Sequence, residues 1–325
     1  MNSSILLLAN QPDPPLPGRP MPTRFSRLFV LCLLTFTLVR AQAGSALVLL
    51  TDFGTSDGAV SAMHGVAYGV DPTLLVSDLT HQIPDYDIWL GAYRLYQTAN
   101  YWPQGTVFVA VVDPGVGTER KSVVLKTLGG RYFVGPDNGL FTLIAERDGV
   151  AELRQIDETR NRLPGSAASY TFHGRDVYAY VGARLASGKI NFAEVGPLLP
   201  NDAVVKIAYQ PAALTGKMIR GIIPVLDEKY GNVWTNIPQA LFEQLQVGVG
   251  QAVQVRILHG GKQVAKVVAP FEHTFGGVAQ GKPLVYLNSL LDVAVAISQG
   301  NFAAQYKVAS GVDWEIEISK AAPAR

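Results

Sequence analysis

Apolar and polar residues form two different patterns along the chain between residues 44 and 197. Short apolar runs rich in β-branched residues have the length of strands, and longer stretches repeat their apolar residues every three or four positions, as amphipathic helices do. The expected strands are 46–50, 74–76, 107–112, 122–125 and 132–134, and the expected helices are 58–68, 88–101, 140–147 and 177–186. This alternation predicts an α/β N-terminal domain, a layered sheet with flanking helices, over residues 44–197.

The pattern changes after residue 197. Residues 196–202 are rich in proline and polar residues, and we assign 198–206 as a linker. The apolar runs that follow have the length of short strands. These runs are 221–226, 252–258, 264–268, 284–287 and 314–318. Residues 207–325 are therefore expected to form a smaller, mostly β, barrel-like C-terminal domain.

Residues 1–43 have a different composition. Met21 is followed by Arg24, Arg27 and an apolar run of 12 residues over 28–39, and Ala41-Gln42-Ala43 forms an A-x-A site. This order is typical of a secretory signal peptide that starts at Met21 and is cleaved after Ala43. The apolar run is shorter than the roughly 20 residues that cross a bilayer, so no stable membrane span is expected after cleavage. The segment predicts a periplasmic or secreted protein.

Charge and cysteine content exclude several classes of function. The 325-residue chain has a net charge of +1, and removal of residues 1–43 takes away four arginines and one aspartate, which leaves a net charge of about −2. This balance gives no support to nucleic-acid binding. The single cysteine, Cys32, lies in the signal segment, so disulfides, thiolate catalysis and cysteine-ligated metals are excluded for the mature chain.

Ionisable side chains follow two of the expected strands and begin one of the expected helices. Asp52 comes after the strand 46–50, Asp113 follows the strand 107–112, and His173 begins the last helical stretch. Open α/β sheets form their sites at the carboxyl ends of strands. A proline and two glycines after Asp113 let the chain fold back, so that Arg120 can reach the Asp113 carboxylate.

Each of these features also has a purely structural explanation. Asp113 and Arg120 are compatible with a turn and a surface ion pair, and Asp52 with a helix cap or an Asx-turn. His173 and Asp176 lie in a first helical turn, where polar side chains commonly cap the backbone. The residues alone leave these alternatives open.

Six sequence blocks in order along the chain resemble one family. They are 51–54 (TDFG), 77–81 (SDLTH), 111–120 (VVDPGVGTER), 135–140 (GPDNGL), 171–176 (TFHGRD) and 231–236 (GNVWTN). From about Leu47 to Val308 the chain is similar to the S-adenosyl-L-methionine (SAM) hydrolases, or SAM hydroxide adenosyltransferases, which are related to fluorinases and chlorinases. The resemblance implies hydrolysis of SAM to adenosine and methionine by attack of an activated water on ribose C5′, without a cofactor. It also implies a homotrimer with active sites between the N-domain of one subunit and the C-domain of its neighbour.

The resemblance implies a catalytic set as well. Asp113, Arg120 and His173 match the residues that hold and activate water, with either Asp113 or His173 as the base and Arg120 orienting the carboxylate. Phe172 is expected to form an apolar wall beside the water, although a packed core aromatic explains it equally well. Halide-using relatives typically carry tyrosines at the positions of Asp113 and His173. A carboxylate beside a halide is electrostatically unfavourable, so hydrolysis is favoured over chlorinase-like adenosyl transfer.

The family's substrate-binding positions complete the set that the resemblance implies. Asp52 matches the carboxylate that binds the ribose diol, Asn232 the amide at the adenine edge, and Asp227 the acid at the methionine ammonium. The remaining expected contacts are Trp234 and Phe275 on the adenine face and Ser289 at the methionine carboxylate. In a β domain, a Trp and a Phe are also common core residues.

Two other classes of function remain as alternatives. Acids and histidines at strand ends also suggest a metal-dependent phosphoesterase. The residues concerned are Asp52, Asp78, His81, Asp113, Asp137, His173 and Asp176. None of their spacings is that of a tight metal-ligand motif, and we interpret Asp78 and His81 as part of a turn and helix entry, so no metal is expected. The signal segment supports the other alternative, a non-catalytic envelope protein that binds nucleosides or adenosyl compounds, since SAM is made in the cytosol.

Overall fold

A computed structural model describes residues 45–322, and the expected signal peptide with its cleavage after Ala43 lies outside them. Residues 45–322 belong to one compact unit. The strands of the first domain are β1 Leu47–Thr51, β2 Val76–Thr80, β3 Val107–Val111, β4 Ser122–Thr127, β5 Tyr132–Pro136, β6 Val150–Gln155 and β7 Leu198–Leu199. Its helices are α1 Ala59–Val70, α2 Ile88–Ala99, α3 Thr142–Asp148, α4 Glu158–Asn161 and α5 Tyr180–Ala186, with a π-helical stretch at Gly174–Ala179 directly before α5.

The first domain has three layers, with a mixed seven-stranded sheet in the middle. The strand order is β2-β1-β3-β5-β4-β6-β7. Strands β2, β1, β3 and β5 are parallel, whereas β4, β6 and β7 pair antiparallel. Apolar side chains of α1 and α5 cover one face of the sheet, and those of α2 and α3 cover the other. Gly182 lets α5 approach β3 closely, because a Cβ at this position would lie 2.3 Å from Val109 Cγ2.

The second domain consists of two antiparallel sheets around one apolar core. Its strands are β8 Ala213–Thr215, β9 Met218–Ile223, β10 Val225–Asp227, β11 Asn232–Pro238, β12 Ala252–His259, β13 Lys262–Pro270, β14 Pro283–Leu287, β15 Asp292–Ile297 and β16 Gly311–Lys320. Short helices occur at Gln239–Phe242 and Phe302–Tyr306. The sheet orders are β10-β11-β15-β14 and β13-β12-β16-β9-β8. A bridge between Phe271 and Val285 joins the two sheets at one corner, which gives the domain a barrel-like outline.

Hydrogen bonds tie α2 of the first domain to the second domain. The Trp89 indole N–H donates to the carbonyl of Pro224 at 3.0 Å, and Arg94 Nη2 donates to Glu228 Oε1 at 2.8 Å. Residues 198–206, which we assigned as a linker, contribute β7 to the sheet edge, and Val204 is buried in the core of the first domain. Within residues 45–322, no helix is both long enough and apolar enough to cross a membrane.

The predicted fold class is confirmed, and several strand boundaries differ from expectation. The strand expected at 74–76 lies at Val76–Thr80, because the side chain of Asp71 accepts the backbone N–H of Thr73 and holds a turn just before it. Strand β2 is the edge of its sheet and is not fully buried, so it accommodates the polar Ser77 and Asp78. The interpretation of Asp78 as part of a turn was therefore wrong.

Candidate active site

A cleft of about 270 Å³ opens at the carboxyl ends of the central strands β1 and β3. The two strands pair in parallel with Thr51 opposite Val111, so that the residues following them emerge side by side. Four of the side chains expected at the site line this cleft, namely Asp52, Asp113, Phe172 and His173. The topology of the sheet thus brings together residues that are up to 121 positions apart in the chain.

Asp113 is held in the cleft by a two-pronged ion pair with Arg120. Arg120 Nε donates to Asp113 Oδ1 at 2.9 Å, and Arg120 Nη2 donates to Asp113 Oδ2 at 2.5 Å. The Asp113 side chain is only 5% exposed and that of Arg120 is 11% exposed, so bulk water solvates neither charge fully. The predicted return of Arg120 to Asp113 is observed. A surface ion pair, the structural alternative, does not describe a pair that is this buried.

A chain of polar contacts links the ion pair to His173. Arg120 Nη1 donates to Ser122 Oγ at 2.9 Å, and the Ser122 hydroxyl donates to Glu158 Oε1 at 3.2 Å. The other carboxylate oxygen of Glu158 lies 3.6 Å from His173 Nε2 and accepts from Arg162 Nη2 at 2.9 Å. Sequence reasoning missed Ser122, Glu158 and Arg162. The only local signal was a charged cluster after β6, which is also typical of a helix start.

The pKa of Glu158 falls from its ordinary 4.5 to about 2. The His173 imidazole makes the largest contribution, and Arg162 adds to it; together they outweigh the partial burial of the carboxyl, which acts in the opposite direction. Glu158 is therefore a fixed negative charge next to the ring of His173 at any physiological pH.

Replacing Glu158 by glutamine should change how stability depends on acidity. Because the folded-state pKa is lowered from 4.5 to about 2, ionised Glu158 contributes stability above pH 4.5, and this contribution is lost as the pH falls towards 2. The quantity to compare is the free energy of unfolding of the native protein minus that of Glu158→Gln. We expect this difference to be larger at pH 6 than at pH 2–3, by on the order of 1–2 kcal/mol after allowance for solvent screening. Urea titrations across this range measure the difference.

Glu152→Gln is the matched control for this experiment. Glu152 is more exposed, and its contacts are longer, 3.8 Å to Lys126 and 3.4 Å to Arg154. The control is expected to show a difference that hardly changes with pH. An equally flat difference for Glu158→Gln would contradict the assigned role of His173 and Arg162.

His173 stands at the entrance of the π-helical stretch Gly174–Ala179. Its ring is buried, with 5% of the side chain exposed, and Nδ1 has no hydrogen-bond partner within the described residues. Gly174 packs tightly beside it, since a Cβ there would lie 3.0 Å from the Phe53 ring, which would have to shift slightly. Phe53 packs edge-on against Phe172 with ring centroids 5.7 Å apart. Phe172 thus both forms an apolar wall of the cleft and packs against the core, so the two explanations offered for it hold together.

Asp52 also lines the cleft. Its Oδ2 accepts the backbone N–H of Tyr86 at 3.0 Å. Burial raises the pKa of Asp52 above its ordinary 3.8, and the Tyr86 hydrogen bond offsets only part of this effect. The other carboxylate oxygen, Oδ1, accepts no hydrogen bond from the described residues. Asp52 does not cap helix α1, whose N-cap is Gly58.

The expected contacts of the second domain lie elsewhere in the chain. Asp227 and Asn232 are paired across the β10–β11 turn, where Asn232 Nδ2 donates to Asp227 Oδ2 at 3.2 Å. Trp234 packs in the apolar clusters of the domain, and half-exposed Phe275 lies with its ring 4.9 Å from that of Tyr286. Asp227 and Ser289 line two other cavities. The cleft at β1 and β3 is lined only by residues of the first domain.

The remaining acids and histidines of the phosphoesterase alternative do not line the cleft. Asp137 Oδ1 accepts the backbone N–H of Val205, and fully buried Asp176 accepts both prongs of Arg175. Asp78 and His81 cluster instead with His64, a residue that sequence reasoning overlooked. Among the described residues, the cleft therefore holds Asp52, Asp85, Asp113 and His173 as its ionisable acids and histidine.

Comparison with known proteins identifies the family. The SAM hydroxide adenosyltransferase N-terminal domain matches residues 47–196, and the C-terminal domain of the same family matches residues 221–315. A protein of Salinispora tropica named (R)-S-adenosyl-L-methionine hydrolase is 38% identical over 254 residues, which are 78% of this chain and 90% of that protein. A protein of the same name from Methanocaldococcus jannaschii is 39% identical over 219 residues, 66% of this chain and 73% of that protein.

Two further similarities extend over most of the chain. A fluorinase of Actinoplanes sp. is 28% identical over 305 residues, 86% of this chain and 99% of that protein. The crystal structure of an uncharacterized conserved protein from Thermotoga maritima has 34% sequence identity and a TM-score of 0.78, and it covers 84% of this chain and 100% of its own. The resemblance found in the six sequence blocks is confirmed, and the chain belongs to the SAM hydroxide adenosyltransferase family.

Proposed function

We propose that this enzyme hydrolyses SAM to adenosine and L-methionine. The observation that carries the proposal is the buried Asp113–Arg120 pair, which faces the same cleft as His173 and Asp52. The relatives that bear the hydrolase name match this chain over up to 80% of its length. Their name specifies the R form of the substrate, so the sulfonium configuration belongs to the proposal and to its test.

In the proposed reaction, a water in the cleft attacks ribose C5′. The C5′–S bond breaks with its electron pair going to sulfur, which becomes the neutral thioether of methionine, and one water proton is released through a protein base. As the attacking water loses its proton it gains negative charge, which the positive sulfonium cancels, so exclusion of bulk water lowers the barrier more than a strong base would. The enzyme therefore needs only to position the water and to accept its proton, and a carboxylate and an imidazole can do both.

Two groups lie next to His173 Nε2: Arg162 Nη2, which can only donate, at 3.3 Å and the Glu158 carboxylate at 3.6 Å. The other ring nitrogen, Nδ1, has no hydrogen-bond partner among the described residues and is the one that can face a water. Both Asp113 oxygens are oriented by Arg120, and each keeps lone pairs that can hold the water. We assign the holding and activation of the water to Asp113 and His173 together, with either of them as the base. The Asp52 carboxylate is assigned to the ribose diol.

The carboxylate also argues for water rather than halide as the nucleophile. The guanidinium of Arg120 is already paired with the Asp113 carboxylate and is not free to bind a chloride. The negative charge of Asp113 also repels an approaching chloride. No metal or organic cofactor is assigned to the chemistry. Chelator treatment is expected to leave turnover at saturating SAM unchanged.

We further propose a homotrimer in which the C-domain of a neighbouring subunit completes each cleft. In support, the cleft of one chain has walls from the first domain only, while Asp227, Asn232 and Ser289 lie outside it. The second-domain residues Asp227, Asn232, Trp234, Phe275 and Ser289 would supply the methionine and adenine contacts from the neighbour. The shared site also explains why side chains that match one substrate lie apart in a single chain.

Product analysis tests the proposed function. Purified chain from Gly44 is incubated with each sulfonium diastereomer of SAM, with and without chloride, and the products are separated by chromatography. Adenosine and methionine in equal amounts, unaffected by chloride, are expected. Formation of 5′-chloro-adenosine only when chloride is present would indicate halide transfer instead of hydrolysis. Tight binding of SAM without any product would favour the alternative of an envelope binding protein.

Export is a separate part of the proposal. The signal segment is assigned to secretion into the periplasm or beyond, where SAM or another adenosyl compound would have to be supplied. A fusion of residues 1–50 to a reporter that is active only after export tests the assignment. Reporter activity no higher than that of a leaderless control would refute it.

A further inference from the structure

A second cluster of ionisable side chains lies between helix α1 and the end of strand β2, outside the cleft. Its members are His64 on α1, Asp78 within β2 and His81 just after β2. His64 Nε2 lies 2.8 Å from Asp78 Oδ1, and His81 Nε2 lies 3.0 Å from the same oxygen. Two imidazoles therefore converge on one carboxylate oxygen.

Hydrogen bonds do not satisfy all the polar atoms of this cluster. The Nε2 atom of His81 is buried and makes no well-aligned hydrogen bond within the described residues, although a carboxylate oxygen lies 3.0 Å away. The other ring nitrogen, Nδ1, is engaged with Thr51 Oγ1 at 2.8 Å. In the tautomer with the proton on Nδ1, His81 donates to Thr51, the lone pair of Nε2 faces the lone pairs of Asp78, and a cation between them removes the repulsion. In the other tautomer, Nε2–H faces Asp78 in poor alignment.

The spacing of the donor atoms suits a metal ion. Two ligands about 2.0–2.1 Å from an ion lie about 2.9 Å apart at a right angle and about 3.4 Å apart at the tetrahedral angle. The observed 2.8 and 3.0 Å are close to the right-angle value, and the 2.8 Å contact is also a His64–Asp78 hydrogen bond, which an ion would replace. All three donor atoms lie within 4.8 Å of one another. Two imidazoles and one carboxylate are a donor set for divalent first-row transition metals, with water in the open positions.

We infer that His64, Asp78 and His81 form a binding site for a divalent transition-metal ion, with Zn²⁺ as the probe. His81, whose side chain is 4% exposed, anchors the site, and the Thr51 hydroxyl orients its ring. His64 and Asp78, at 26% and 42% exposure, leave a path to solvent for the ion and its waters.

The site adjoins the strand end that carries Asp52. The same Thr51 hydroxyl that contacts His81 accepts the backbone N–H of Phe53 at 3.2 Å, and the His81 carbonyl accepts the N–H of Gly54 at 2.7 Å. An ion held by His81 would therefore brace the loop 51–54 through residues that do not line the cleft. Its role is structural, so it takes no part in the hydrolytic step.

Metal binding to the tag-free chain from Gly44 tests this inference without any activity assay. After chelator treatment and desalting, the protein is dialysed against micromolar Zn²⁺ and its metal content is measured; Co²⁺ loading is followed by visible absorption. About one equivalent per chain is expected, with a rise of several degrees in melting temperature. His64→Gln and Asp78→Asn are each expected to weaken binding at least tenfold.

His259→Gln is the matched control. His259 Nε2 lies 2.9 Å from Asp313 Oδ2, so it forms an exposed His–Asp pair that is not part of the three-ligand cluster. This variant should bind Zn²⁺ as the native chain does. Because His64 and Asp78 are partly exposed, their variants are expected to fold, which circular dichroism checks. Fewer than about 0.2 equivalents on the native chain, or undiminished binding by both ligand variants, would overturn the inference.

Discussion

Asp113→Asn is expected to lower kcat at least 100-fold while the affinity for SAM changes little. The substitution keeps the shape of the side chain but removes the charge that, in the proposed reaction, holds and polarises the attacking water. Loss of an interaction that matters mainly in the transition state reduces kcat, whereas a ground-state contact would raise KM. Steady-state kinetics together with calorimetric titration of SAM separate the two effects.

Asp148→Asn is a suitable control, because Asp148 also forms a two-pronged pair with an arginine. Arg147 Nε and Nη2 donate to its two oxygens at 2.6 and 2.9 Å, and the Asp148 side chain is 10% exposed. Asp148 does not line the cleft. The control should lose some stability and retain normal turnover. Equal losses of kcat in both variants, or equal losses of SAM binding and kcat in Asp113→Asn, would assign Asp113 a purely structural role.

Two inactive variants should regain activity when they are assembled together. In the proposed trimer each site takes Asp113 from one subunit and Asp227 from its neighbour. Random mixing of equal amounts of Asp113→Asn and Asp227→Asn chains then leaves both residues intact in about a quarter of the sites. We therefore expect about a quarter of the native activity at low SAM concentration from co-refolded chains, against a few per cent or less from either variant alone.

The control for the mixing experiment pairs Asp113→Asn with His173→Ala. Both residues belong to the first domain and line the same cleft of one chain, so no mixed site contains both intact residues. That mixture is expected to stay inactive. If the Asp113→Asn and Asp227→Asn mixture shows only the average of its parents, the site is not shared between subunits and the trimeric proposal fails.

Local patterns in the sequence predicted the parts of the site that depend on neighbouring residues. The pair Asp113–Arg120 spans seven positions, and the proline and glycines between them dictate a tight return, so a reader of the sequence can anticipate the contact. The central strands β1 and β3 are fully buried and read as continuous apolar runs. Their carboxyl ends were identified correctly because such runs end abruptly at Asp52 and Asp113.

Contacts that depend on tertiary packing could not be predicted in this way. Ser122 and Glu158 meet across 36 positions because β4 and β6 are neighbours in the sheet, and β6 itself was missed since its residues are only half-buried. His64 has no distinguishing local pattern on α1, and only the approach of α1 to β2 reveals its partner. The strand β15 escaped prediction as well, because it begins with a polar residue, Asp292, that the fold buries.

The π-helical stretch at Gly174–Ala179 sets the direction in which His173 faces. A π-helical turn holds one residue more than an α-helical turn, so residues before it are rotated by about 100° relative to those after it. Helix α5 can therefore keep its apolar stripe against β1 and β3 while His173, at the other end of the same continuous segment, faces the cleft. The imidazole and the packing stripe are thus out of phase along one continuous segment. A change of one residue in the length of this segment would therefore redirect the imidazole and would also displace Val177 and Tyr178, which are buried in the core.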